Sequence, residues 1–200
     1  DWEIILIPRS KIEFTVDMVL YMTTDNSDPK TPKTYDGSYS SSTINFAIEE
    51  YSIYKSTISV SDEGTLKDLD VKVNLSKGNA NDISISIRSP YGTFITLFPY
   101  AQLGTGLMYE TIFDDEATEE ISGGSPPYSG RFKPRFIDKN ALSNFDMESI
   151  KGDWEIILIP RSKIEFTVDI TLLMDYDNTP PAAPTGLTGE YGYKQVDLKW

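Results

Sequence analysis

An all-β protein, a sandwich of two sheets, is what this sequence predicts, and three observations predict it. Apolar and polar residues alternate with period two through several stretches, turn-forming residues fall between them at short spacing, and no run of ten or more residues carries a clean helical period. In chain order, TISV at 57–60 is a short strand that leaves through the turn DEG. Val71, Val73 and Leu75 alternate with Lys72, Asn74 and Ser76, and Ile83, Ile85 and Ile87 alternate with Ser84, Ser86 and Arg88. Between these runs sits KGNAND, a cluster of residues that tolerate tight backbone, so the two read as a hairpin. SPYGT at 89–93 is a Pro/Gly turn ahead of the strand FITLF, MYETIFDD is short and β-branched, and ALSNFDMESI supplies one helical turn at most. The clearest strand comes last: Ile164, Phe166, Val168, Ile170 and Leu172 alternate with Glu165, Thr167, Asp169 and Thr171.

Composition bounds the chemistry. The 200 residues carry 31 acidic against 18 basic side chains, a net charge of −13, which repels nucleic acid and anionic lipid and attracts cations such as calcium. Cysteine is absent, which removes disulfides, thiolate metal sites and cysteine nucleophiles. Histidine is absent as well, so no Ser-His-Asp or Cys-His relay, imidazole zinc site or near-neutral proton shuttle can form. A glycosidase pair of carboxylates needs a sugar-sized cleft between them, and no spacing here indicates one. No catalytic residue is assigned, and the chain is expected not to be an enzyme. No apolar run approaches bilayer length and no leader pattern precedes a cleavage site, so membrane insertion is not expected.

The most informative feature is a repeat. DWEIILIPRSKIEFTVD occupies residues 1–17 and returns at 153–169, and the longer segments 1–22 and 153–174 differ only at Met18/Ile170, Val19/Thr171 and Tyr21/Leu173. A match this long marks tandem duplication. Residues 1–25 then read as the closing hairpin of an upstream copy, residues 26–43 as a polar, Pro-containing linker, and 44–175 as one complete copy closed by the second hairpin. Residues 176–183 form a Pro-rich linker, and 184–200 open a different domain, with two short strand-like pieces around a Gly turn. An isolated copy of the hairpin exposes an apolar face, so residues 1–25 are expected to pack on neighbouring domains or enter another copy of the protein by strand complementation.

The middle copy resembles the P domain, or Homo B domain, that follows the catalytic domain in furin- and kexin-type proprotein convertases and in bacterial subtilisin-like proteases. The resemblance rests on DLDVKVNLSKGNANDISISIRSPYGT at 68–93, IFDDEA at 112–117, PPYSGRFKP at 126–134 and LSNFDMESIKGDWEIILI at 142–159, in that order. It implies a jelly-roll-like β-sandwich. Two positions depart from the family pattern: Ser76 stands where the family often has His, and IPRSKIEF replaces an Asp-rich turn and a second Trp. The tail PPAAPTGLTGEYGYKQVDLKW resembles the opening of a fibronectin type III domain.

The acidic run FDDEATEE supplies the candidate metal ligands. Calcium takes roughly six to eight oxygens, and carboxylates crowded on a bent loop are the usual source. Asp114, Asp115 and Glu116 are the expected calcium ligands, a role some P domains give to this motif; Glu119 and Glu120 read as solvated, and DNSDP at 25–29 and SDEG at 61–64 as turns. Tyr35, Tyr39, Tyr51 and Tyr54 pose the alternatives of an aromatic carbohydrate platform and ordinary half-buried tyrosines. Together these readings describe a non-catalytic structural or adhesive module of a multidomain extracellular or cell-surface protein, assembling into filaments by strand exchange. The alternative is an accessory P domain that stabilises an extracellular subtilisin-like protease.

Overall fold

Branched side chains that pack well on a pleated surface dominate the alternating runs, and each such run is a strand. The computed structural model describes residues 33–47 (backbone only at 47), 51–99, 104–134, 141–163 and 165–179, with the backbone of 188–192 and 195–199. The chain divides into two units, residues 27–179 and residues 1–26 with 180–200. The first unit carries β1 (Gly37–Ser40), β2 (Ile44–Ala47), β3 (Tyr54–Val60), β4 (Thr65–Lys77), β5 (Ile83–Arg88), β6 (Phe94–Phe98), β7 (Met108–Phe113), β8 (Gly130–Phe132), β9 (Gly152–Pro160) and β10 (Glu165–Asp177). In the second, β11 (Thr188–Gly192) and β12 (Gln195–Lys199) pair antiparallel. Among the described residues the helical pieces are short 3-10 turns, so the all-β class holds.

Two open sheets form the sandwich. One runs β1–β10–β4–β7–β8, with β2 also paired to β10, and the other runs β3–β9–β5–β6; every pairing is antiparallel except β7 with β8. Leu69, Val71, Val73 and Leu75 of β4 and Ile83, Ile85 and Ile87 of β5 are fully buried in the core. Aromatic pairs link the layers: Phe98 of β6 stacks on Phe113 of β7 at 5.5 Å, and Phe46 of β2 lies between Tyr54 of β3 (4.9 Å) and Phe166 of β10 (5.2 Å). Trp154 is 0% exposed, edge-on to Phe145 at 5.3 Å, and its indole N–H donates to the Ile150 carbonyl at 2.9 Å.

Three expectations are corrected. The runs 71–75 and 83–87 are strands, but β4 and β5 lie in different sheets and form no hairpin. The intervening turn carries the chain across the sandwich through a 3-10 turn at Ala80–Asp82, capped by Asn79 Oδ1 accepting from the Asn81 N–H at 3.1 Å. The closing segment 153–174 is likewise no hairpin: β9 sits between β3 and β5 in one sheet, and β10 crosses to the other, between β4 and the edge strands β1 and β2. It is an arch over the core. Finally, the range 26–43 read as linker contains β1, which pairs Gly37–Ser40 with Met174–Thr171, because Tyr39 packs against the core and Ser40 Oγ meets Thr171 Oγ1 at 2.9 Å. β10 also runs on to Asp177, into the range read as the second linker. The segment 1–25 and residues 180–187 lie outside the described residues, as does DNSDP at 25–29.

A carboxyl pair fastens the start of β1 to the end of β10. Asp36 Oδ2 accepts from the Tyr176 N–H at 3.1 Å, and the Asp175 carboxyl shares a hydrogen bond with Asp36. Burial first, then that bond, push Asp175 up to about 6, while Asp36 is held below its ordinary value by the bond from Asp175 and the Tyr176 amide. A carboxyl whose folded pKa is raised adds stability that is complete below its unfolded value and is lost as pH rises through the folded one. Between about pH 4 and pH 6.5 the β1 amides should therefore lose hydrogen-exchange protection in the wild-type chain, and Asp175→Asn should flatten that dependence. Equal pH dependence in both chains would remove this account of the β1 edge.

Candidate functional site

In a strand, residues two apart point to the same face, so Asp68 and Asp70 of β4 share the face opposite Leu69 and Val71. That outer face would ordinarily meet water. Here Asp70 is 0% exposed, because Lys33 and Tyr35 from the segment before β1 and Arg131 of β8 close over it. The Tyr35 hydroxyl donates to Asp70 Oδ2, and Arg131 donates to Tyr35 Oη at 2.9 Å through Nη1. Arg131 also spans two carboxylates, with Nη2 on Asp70 Oδ2 and Nε on Asp114 Oδ2 at 2.6 Å. β8 holds the guanidinium there by its parallel pairing with β7, Arg131 opposite Ile112.

The FDDEA run bends directly after β7. Asp114 Oδ1 accepts from the Glu116 N–H at 2.8 Å, the Ala117 N–H reaches the Asp114 carbonyl at 3.3 Å, and the Asp114 N–H donates to the Phe132 carbonyl at 3.0 Å. This tight turn separates the three predicted ligands. Asp114 turns to Arg131. Asp115 Oδ2 accepts from the Ser143 N–H at 2.8 Å, in the 3-10 turn Leu142–Phe145. Glu116 alone swings over β4, where one oxygen each from Asp68, Asp70 and Glu116 lie within 4.8 Å of one another. Asp68 and Asp70 were not among the expected members of this cluster because an acidic outer face is the default for an amphipathic strand. The signal available was DLD, two carboxylates at i and i+2 on a strand whose other face carries Leu69, Val71, Val73 and Leu75.

The electrostatics are unbalanced. Asp68, Asp70, Asp114 and Glu116 face two cations, Lys33 and Arg131, which leaves two negative charges uncompensated when all four are ionised. Burial, reinforced by the charge of Asp114, pushes Asp70 up to about 6; burial and a hydrogen bond to Asp114 push Glu116 up to about 7. Nearby Asp146 rises to about 7 through burial and then the charges of Asp68 and Asp115. Asp114 goes the other way: burial opposes its charge, but the hydrogen bonds from Glu116 and Arg131 outweigh it. In this region two buried carboxylate oxygens, Asp70 Oδ1 and Asp115 Oδ1, have no hydrogen-bond partner. Lys33 Nζ lies against Asp68 Oδ2 as an ion pair, so that oxygen is met by a cation. An oxygen-only donor set with orphaned buried atoms and a two-charge deficit fits a hard divalent cation.

The tyrosines do not make a platform. Tyr35 joins the acidic cluster, Tyr39 donates to Asp62 Oδ2 at 2.6 Å, Tyr54 stacks on Phe46, and Tyr51 is exposed.

Removing the Arg131 fork would leave Asp114 buried without its cation and Asp70 with only Tyr35 and the more distant Lys33. Arg131→Met should cost about 3–5 kcal/mol in urea denaturation. Arg131→Lys should recover only part of this, since an ammonium cannot span both carboxylates. A loss under ~1 kcal/mol for the methionine variant would mean the fork is not holding this face together.

No family model matches the chain, and no curated protein does. Among solved structures, the chain is similar to the serine protease of Aeromonas sobria, at 14% identity over 76% of this chain with a TM-score of 0.36. It is similar at 13% identity over 73%, TM-score 0.37, to that protease in its complex with the chaperone ORF2. The chain spans 28% of the length of each of those protease chains.

Proposed function

We propose that the chain is a non-catalytic, cation-binding β-sandwich module from an extracellular repeat protein, with a structural or adhesive role. The observation that carries this is what the repeat duplicates. Residues 153–174 are the arch that supplies an interior strand to each sheet, and Trp154, Ile156, Phe166 and Val168 are buried in the core. Residues 1–22 carry the same side chains at Trp2, Ile4, Phe14 and Val16. Such a segment has a use only against a body like that of residues 37–152, so the chain holds material from two copies of one sandwich. The absence of histidine and cysteine removes the common nucleophile relays, and the acidic cluster supplies oxygen ligands in place of catalytic pairs.

Calcium is the ion proposed for Asp68, Asp70 and Glu116, with Asp114 and Asp115 in support. Partners are neighbouring domains and further copies: residues 1–22 of one molecule match the arch that fills the slot between β3 and β5 and beside β4 in another. The second reading, an accessory P domain of an extracellular serine protease, is favoured by the ordered motifs from DLDVKV to GDWEIILI.

Light scattering on the full chain across a concentration series, with electron microscopy of the same samples, tests the assembly. Mass should grow with concentration into ordered polymers, and Trp2→Ala with Phe14→Ala should abolish the growth. A monomer at every concentration would discard strand exchange and put the accessory-domain reading first.

A further inference from the structure

The acidic cluster already contains a cation that can leave. Of the two positive groups on it, Arg131 is fixed by the β7–β8 ladder and by a fork across Asp70 and Asp114. Lys33 sits on an unpaired segment that reaches the cluster before β1 begins, with its ammonium on Asp68 and 3.4 Å from Asp70 Oδ2. Its side chain is only 15% exposed. Asp68 and Asp70 are also two of the three residues whose oxygens converge with Glu116. A divalent ion and this ammonium therefore compete for the same two carboxylates.

A second observation points to a ligand beyond the lysine. Asp70 is completely buried, yet its Oδ1 has no partner, although its Oδ2 is taken by Tyr35 and Arg131. Lys33 satisfies the charge of the cluster in part and leaves that oxygen bare. A multivalent, oxygen-seeking ion can bind carboxylates from several directions at once, which a tetrahedral ammonium on a tethered stem cannot.

We propose that Lys33 is an internal competitor for the cation site, so that binding of a divalent cation displaces its ammonium and unlatches residues 33–35, the segment that leads through Asp36 into β1. This rests on the cation reading of the cluster given above. Lys33 then sets the cation concentration at which the site fills, and the filled and empty states differ in the freedom of the chain entering the sandwich. Tyr35, whose hydroxyl also bonds Asp70, is the second contact that must give way.

Calorimetric titration of the full chain with calcium chloride, joined to hydrogen exchange on β1, tests this. Lys33→Met should bind calcium about tenfold more tightly or better than wild type, because it removes a unit positive charge from the ligands themselves. Lys33→Arg keeps the charge and should bind no tighter than wild type. Lys72→Met removes a charge from the same face of β4 that pairs with Glu110 at 3.3 Å instead, and should change affinity much less. In the wild-type chain, calcium should raise exchange at the β1 amides, Gly37–Ser40, which pair with β10. Equal affinities for wild type and Lys33→Met, or unchanged exchange on calcium loading, would overturn the competition while leaving the cation site in place. An equal gain from Lys72→Met would reduce the effect to bulk charge and also overturn it. No calcium heat from any of the four chains would remove the cation site and the competition together.

Discussion

The structure depends on one topological constraint: the arch from β9 to β10 crosses the core and becomes an interior strand of each sheet. β9 carries β3 on one side and β5 on the other, while β10 carries β4 on one side and β1 and β2 on the other. Neither sheet has a continuous ladder without it. The arch also seals the interior, since Trp154, Ile156, Leu158, Phe166, Val168, Ile170 and Leu172 are all essentially buried. At about 25 cal/mol per Å² of apolar surface, such a set is worth more than the net stability of an ordinary domain, so the sandwich closes only when its last piece arrives. The burial of Tyr39, the crossing of residues 77–82 and the position of β4 all presuppose it.

On the other side of β4 the same strand meets the opposite problem. Its inner face can be satisfied by packing alone, but Asp70 on its outer face has been taken out of water. Desolvating a carboxylate costs several kcal/mol, and the fork from Arg131 returns that only if the remaining oxygens are also satisfied. One is not. A buried charged group with an empty acceptor adds nothing to a sheet that β10 and β7 already hold on both edges of β4. The cluster therefore carries a desolvation cost that its own hydrogen bonds and ion pairs return only in part.

The sequence made the strands legible and their partners illegible, for a physical reason. Period two reports which face of a strand is buried, and both sheets bury the same kind of residue, so Val71–Leu75 and Ile83–Ile87 look like natural neighbours although they lie in different layers. The turn between them is polar in either case. β1 was hidden because Gly37–Ser40 has a single aromatic to pack and otherwise small polar side chains, the composition of a linker; only pairing with β10 makes it a strand. In the acidic cluster, Glu116 was suggested by the density of acids in FDDEA. Asp68 and Asp70 were not, because burial of an outer strand face depends on what lies over it, and Lys33, Tyr35 and Arg131 come from 35 to 61 residues away.

The two repeated segments divide along the same line. All three differences between residues 1–22 and 153–174 fall within four positions of β10, at 170, 171 and 173. These positions pair with Val73, Lys72 and Asp70 of β4. Ile170 is a core residue, and the Met18 that matches it is a substitution close in volume, the kind a core tolerates best. Thr171 and Leu173 are half-buried on the outer face, the face of Asp70, where the matching residues are Val19 and Tyr21. Seventeen unbroken identities thus cover the turn and the strands that make the fold, and change begins only where β10 runs beside the charged strip. A hydrophobic arch has one good solution for a given body, so duplication leaves it alone; the outer face is constrained by what it meets, and it is there that one copy can differ from the next.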